Sequence, residues 1–251
     1  MTRHRARLAV AVLAATLVLG ACGGTAGGGS DSGSTGAGSA GPTTTEKAVD
    51  NGVAAKTADQ ILQETKAALR GASSTHVVGK FVEGTQTAEF DMHLGRDVSQ
   101  GSLTQKGLKL EMIVAGGNLY LRGKQFWEAN APPSFANQVG DRWAQLPVTS
   151  LREGLAYKDL VNLDSFATSV LKPDGKLTKG QTGSIDGAPA IAIKDGDGSP
   201  LWVATTGPAY PLRLGPEKPS ASTSSFTFSD YNAPLSVTAP GDSVDISQIT
   251  G

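Results

Sequence analysis

The strongest constraint on how this chain folds is a change in its hydrophobic period. Up to Gly71 the apolar residues recur at helical spacing, and after Ser74 they recur at every second position. In "TAEFDMHLG", Ala88, Phe90, Met92 and Leu94 alternate with Thr87, Glu89, Asp91 and His93. In "LKLEMIVAG", Leu108, Leu110, Met112 and Val114 alternate with Lys109, Glu111 and Ile113. A period of two sends successive side chains to opposite faces of a strand, so each segment predicts a strand with one apolar face. "NLYLRG", after the turn at Gly116-Gly117-Asn118, and "QFWEA" extend the pattern as a meander of hairpins. Antiparallel strands of this kind must bury their apolar side under something else.

Candidate covers flank the strands. In "TADQILQETKAALRG", Thr57 followed by Gln60 has capping-box spacing, Ile61, Leu62, Thr65, Ala68 and Leu69 share a helical face, and Gly71 is placed to close the helix in a left-handed cap. "PPSFANQVGDRWAQLP" and "YKDLVNLDSFATSVLKP" read as short helical pieces. In the second, Leu160, Leu163, Phe166, Ala167 and Val170 share a face and Pro173 ends the run. Strands resume in "KLTKGQTGSIDG", "APAIAIKDG", "PLWVATTG", "YPLRLGP" and "SSFTFSDYN". No period of 20 to 50 residues recurs, so the chain is not a repeat array.

The start of the chain is of another kind. Arg3, Arg5 and Arg7 precede an apolar run from Leu8 to Leu19, too short to span a bilayer and laid out as a secretory signal peptide. It ends in Leu19-Gly20-Ala21-Cys22, and Cys22 is the only cysteine of the chain. An unpaired thiol is a liability in an exported protein. This one stands where the bacterial lipobox has its cysteine, and that resemblance implies cleavage before Cys22 and a diacylglycerol thioether on its sulfur. The competing reading is an ordinary signal peptide with an incidental thiol. Arg5 and Arg7 are not adjacent, which favours the general secretory route over the twin-arginine one. Two or more acyl chains hold a protein stably at a bilayer, so the expected location is the extracytoplasmic face of the cell membrane.

From Gly23 to about Lys56 the chain is nearly all Gly, Ser, Thr and Ala, with no aromatic residue. Such a segment predicts a disordered tether that holds the domain roughly 30 Å from the anchor. The expected organisation is therefore a signal peptide over 1–21, a lipidated Cys22 and tether over 22–56, and one domain over 57–251. Without its leader the chain keeps 19 basic residues against 23 acidic ones, which gives no basic footprint for nucleic acid. With one cysteine there is no internal disulfide, and the domain must stand on its apolar core.

Catalytic chemistry finds little support. After the leader only His76 and His93 remain, and there is no G-x-S-x-G elbow, so no enzyme and no catalytic residue is expected. His93 lies on the polar face with Glu89 and Asp91, and with His76 it is a candidate zinc pair. Two histidines without a fixed third ligand are read as part of a solvated face, with no metal and no cofactor assigned. "KDGDGS" over 194–199 has acid spacing that hints at calcium, yet it lacks the length and glutamate of an EF-hand and reads as an Asp-Gly hairpin turn. Phe126, Trp127 and Trp143 are candidates either for a hydrophobic lip or for ordinary core.

The order of elements, with "GAPAIAIKDGDGSPLWVATTGPAYPLRL" and "SFTFSDYNAPLSVTAP", resembles the LppX/LprG-type mycobacterial lipoproteins, which have a LolA-like fold. The points of likeness are Trp202 on a strand, the strand Tyr210 to Leu214, and the turn Phe228 to Tyr231 followed by a strand that ends at Pro240; they cover roughly residues 57 to 245. The resemblance implies an α+β fold, a curved antiparallel half-barrel with helices covering its concave face. It implies too a cavity for acyl chains of a lipid or lipoglycan, and an envelope transporter as candidate partner. The chain departs from that pattern in being rich in Gly and modest in large apolar residues.

Two functions then compete. In a lipid carrier, Phe90, Met92, Leu94, Leu108, Leu110, Met112, Val114, Leu119, Leu121, Ile191, Ile193, Phe226 and Phe228 line an open cavity. In an interaction or sensor module the same residues form a filled core and the outer surface recognises another envelope protein. Periodicity reads the same in both.

Overall fold

A computed structural model describes residues 49–151, 162–196 and 198–246. The leader, Cys22 and most of the expected tether lie outside the described residues. Among the described residues the fold is α+β, an open, curved sheet of twelve strands with four helices. The chain enters through helix α1 (Ala58–Gly71) and runs through β1 (Ser74–Glu83), β2 (Gln86–Gly95), β3 (Ser99–Gln105), β4 (Leu108–Ala115) and β5 (Asn118–Arg122). Helices α2 (Lys124–Asn130) and α3 (Pro133–Val139), strand β6 (Trp143–Pro147) and helix α4 (Leu163–Val170) follow. The second series is β7 (Thr178–Ile185), β8 (Ala188–Lys194), β9 (Pro200–Ala204), β10 (Pro211–Leu214) and β11 (Ser225–Ser229), with the short β12 (Ser243–Asp245) last.

The sheet order is β12-β6-β5-β4-β3-β2-β1-β11-β10-β9-β8-β7. Two meanders are thus joined along a long-range seam, where β1 pairs with β11 and His76 stands opposite Ser229. All pairs are antiparallel except β12 with β6, which is parallel. At the Gly116-Gly117 turn both residues have positive φ, 59° and 76°, the backbone that a two-residue hairpin between twisted strands requires.

Alternation along the strands gives the sheet an apolar inner face, and the helices lie against that face alone. One contiguous core holds Ile61, Leu62 and Leu69 of α1, Phe126 and Trp127 of α2, Phe135 and Val139 of α3, and Leu163 and Phe166 of α4 together with the inward strand residues. The capping box of α1 is present in both directions, since Gln60 N donates to Thr57 Oγ1 and Thr57 N donates to Gln60 Oε1. Gly71 does not form a left-handed cap. The helix runs straight into the extended Ala72, while the Arg96 guanidinium donates to the Arg70 carbonyl.

Four other expectations are corrected. "QFWEA" is not a strand but most of α2. Adjacent Phe126 and Trp127 would point to opposite faces of a strand, exposing one, whereas a helix buries both. "RWAQLP" is not helical but supplies β6, because Ala144 and Leu146 pair with Leu121 and Leu119 to extend the inner face. The stretch after Tyr231 is no strand; it runs irregularly, with Val237 packed beside Trp143, before β12. The tether does not reach Lys56. Residues 49–56 lie on the domain, with Val53 fully buried in a 3-10 turn, Asp50 bridged to Thr206, and the Asn51 carboxamide donating to the Ala204 and Gly207 carbonyls at 3.0 and 2.9 Å.

Candidate functional site

The inner face comes from five central strands and their neighbours. Cross-strand register aligns Val77 with Met92 and with Phe228, Leu103 with Phe90 and Leu110, and Leu121 with Met112, so neighbouring apolar rows cross the sheet. Ile191 and Ile193 continue it through Val203 and Leu201. All thirteen residues expected to line a cavity are brought together on this face in one cluster. Twelve are at most 6% exposed, and Leu108, at the rim, is half-buried.

The roof over this face is keyed by aromatic rings. Phe166 of α4, fully buried, has its ring centroid 6.0 Å from Phe90 and 6.1 Å from Phe228, and Phe90 meets Phe226 edge-on at 6.1 Å. Farther along, Trp127 makes edge contacts with Phe126 and Phe135, each at 5.4 Å. Such edge-to-face pairs add about 0.5–1.5 kcal/mol beyond simple burial. The buried Trp127 Nε1 has no hydrogen-bond partner among the described residues. Leu160, expected on the face of α4, lies outside the described residues.

Trp143 does not join Phe126 and Trp127 in a lip. Because Ala144 points inward, Trp143 points outward, where it packs with Tyr120 and Ala115 beneath the Arg122 guanidinium, 4.5 Å from the ring centre. Trp202 is likewise on the outer face, in a small cluster with Ile185, Ala190 and Ala192, and its Nε1 donates to the Gly215 carbonyl at 3.2 Å. Beside it the buried Arg213 is held by both Asp186 oxygens at 2.9 and 3.1 Å. The "KDGDGS" stretch joins β8 and β9 as an antiparallel connection, with Lys194 opposite Pro200, as a hairpin reading requires. The Asp195 carboxylate accepts from Asp174 N at 2.9 Å. In the Phe228 to Tyr231 turn, Asp230 has φ 50°, and Tyr231 stacks on Tyr210 at 3.9 Å while donating its hydroxyl to the Pro211 carbonyl. Burial pushes that phenol above the usual tyrosine range.

The outer face carries two open grooves, of about 650 and 370 Å³. The larger is lined by Val78, Lys80, Glu89, Asp91, Thr104 and Thr227 among others. The smaller lies between Lys109, Glu111, Arg122 and Asp141. The wall of the smaller groove is polar and charged, whereas that of the larger is mixed and includes Phe90 of the predicted apolar set. No described helix is long and apolar enough to cross a membrane.

No protein-family model and no curated protein matches the sequence. Among solved structures, the chain is similar to LprF from Mycobacterium bovis, with 16% identity and a TM-score of 0.48 over 73% of this chain and 96% of that one. It is also similar to the Mycobacterium tuberculosis lipoprotein LppX, at 16% identity and a TM-score of 0.45 over 76% of this chain and 100% of that one. A chain of the Pseudomonas aeruginosa MucA/MucB complex follows at 18% identity and a TM-score of 0.35, over 71% of this chain and 58% of that one.

Proposed function

We propose that this chain is an envelope lipoprotein, anchored through Cys22 on the extracytoplasmic face of the membrane, that receives acyl chains of a lipid or lipoglycan between the inner face of its sheet and its helical roof. The observation that supports this reading is the nature of the cover. A continuous apolar face of one curved sheet lies under short helices, among which α2, α3 and α4 have seven or eight residues each. Helices this short hold little structure of their own, and their stability comes from packing. A ligand that replaces the packing of Phe166 and its neighbours with its own methylenes, each contributing about 0.8 kcal/mol, offsets the cost of lifting them. The unpartnered Trp127 Nε1 is a donor for the polar end of such a ligand. No catalytic residue is needed, since transfer follows from differential affinity for donor and acceptor membranes.

The interaction or sensor module is favoured by a different observation, the closed packing of Met92, Leu94, Leu110 and Met112, each fully buried. The stability of Met112→Trp does not separate the two. In the closed form the larger ring has no room, so the variant loses about 1–3 kcal/mol in either case. Uptake of a fluorescent fatty-acyl probe is the discriminating measurement. A carrier binds one probe saturably and the variant binds it more weakly; no saturable uptake by the parent protein sinks the carrier reading in favour of the module.

The anchor has its own test. Cys22→Ser removes the sulfur that accepts the diacylglycerol, so the variant is expected to leave the detergent phase in phase partitioning while the parent stays in it. Equal partitioning of the two would place the anchor elsewhere.

A further inference from the structure

The outer face of the sheet gathers two histidines and two aspartates at its long-range seam. His76 on β1 is the register partner of His93 on β2, and the two imidazoles are parallel, 4.0 Å apart. Asp91 lies two residues before His93, hence on the same face, with its Oδ1 2.8 Å from His76 Nε2. The seam with β11 sets Ser229 opposite His76, so the next residue, Asp230, brings its Oδ2 to 3.4 Å from His76 Nδ1. One ligand atom from each of His76, Asp91 and His93 lies within 4.8 Å of the others.

We propose that His76, Asp91 and His93 bind a divalent first-row transition ion, with zinc the best match. Two imidazoles and one carboxylate are borderline donors of the kind zinc takes, at about 2.0–2.2 Å each, with water in the remaining position. Tetrahedral ligands at that bond length stand about 3.3 Å apart. Closing the present cluster to that spacing takes rotation of exposed or half-buried side chains, and the paired backbones of β1 and β2 stay in register.

Asp230 is the positioning residue. When His76 Nε2 turns from Asp91 to the ion, its ring hydrogen belongs on Nδ1, and the Asp230 carboxylate is there to accept it. A carboxylate behind a ligating histidine fixes the tautomer and strengthens the ligand. The Asp91 and Asp230 side chains are 61% and 59% exposed, so the ion and its waters reach the site directly from solvent. This site is on the opposite side of the sheet from the proposed acyl-binding face and does not depend on that reading.

The test is calorimetric titration of the full chain with Zn²⁺ alone, run beside thermal melts. One equivalent per chain is expected. At a hundredfold excess of ion over its Kd, the thermal midpoint should rise by roughly 5–10 °C. His93→Ala should melt like the parent in the absence of Zn²⁺, bind at least about 10-fold more weakly, and lose the rise. Asp230→Asn should weaken binding about 10-fold without changing the stoichiometry. Asp91→Asn, at an exposed position whose side chain contacts His76, gives a second ligand variant if His93→Ala fails to fold. Absence of saturable one-to-one binding, or equal affinity in both ligand variants and the parent, overturns the proposal.

Discussion

Gly79→Ala is expected to cost about 3 kcal/mol or more, lowering the thermal midpoint by roughly 10 °C. Gly79 lies in the middle of β1 at the seam, opposite Phe226 of β11. A Cβ placed there would meet the Ser225 carbonyl oxygen at 2.2 Å and the Phe226 Cα and Cδ1 at 2.7 Å. Two of these atoms are backbone, so the clash is not relieved by turning a side chain. The strands must separate at the central pairing that joins the two meanders. The matched control is Gly71→Ala, where a Cβ meets nothing within 4 Å at the last residue of α1. That change should be neutral or stabilising by about 0.4–1 kcal/mol, through a less flexible unfolded chain. Chemical and thermal melts of the two variants check the sign as well as the size. A Gly79→Ala protein as stable as the parent would mean that the seam is not packed as described.

A protein starting at Thr57 is expected to melt roughly 5 °C below one starting at Val49. Burying Val53 contributes about 1.5–3 kcal/mol. The Asn51 carboxamide, with two carbonyls to donate to and the Val53 N–H to accept from, adds about 1 kcal/mol per bond. Ordering the segment offsets part of this gain, which leaves about 2 kcal/mol net. The Lys56–Glu64 ion pair, partly exposed, adds little. Deletion of residues 23–48 from the full chain should leave the midpoint unchanged, since low-complexity Gly/Ser sequence has almost no apolar surface to bury. Equal melting of the forms beginning at Val49 and Thr57 would restore the tether boundary expected from sequence.

What was legible in the sequence was local. The capping box at Thr57 and Gln60, the alternation of β2 and β4 and the Gly116-Gly117 hairpin each depend on residues within a few positions of one another, so pattern and outcome coincide. So does membership of the inner face, because a strand residue shares its face with its second neighbours whatever the strand pairs with. The thirteen residues read either as cavity lining or as filled core fall in one apolar cluster.

The misreadings have one physical origin. "QFWEA" alternates poorly as a strand, and the burial of both Phe126 and Trp127 chose the helix. Residues 49–56 carry a weak apolar signal, and the segment is ordered because Ala204 and Gly207, some 150 residues away, offer their carbonyls to Asn51. Trp143 seemed a neighbour of Trp127 by chain distance, yet the register of β6 on β5 turned it to the other face.

The sequence by itself determined which side chains share a face and that an apolar face had to be covered, because both follow from a period of two and from the cost of exposing hydrocarbon to water. Only the tertiary structure decided what meets across the seam. Pairing β1 with both β2 and β11 put His76 against His93, Asp91 and Asp230 at once, and it filled the space over Gly79 with Phe226. Such meetings are set by strand register between segments up to about 150 residues apart, since a slip of one residue would turn every one of these side chains to the opposite face.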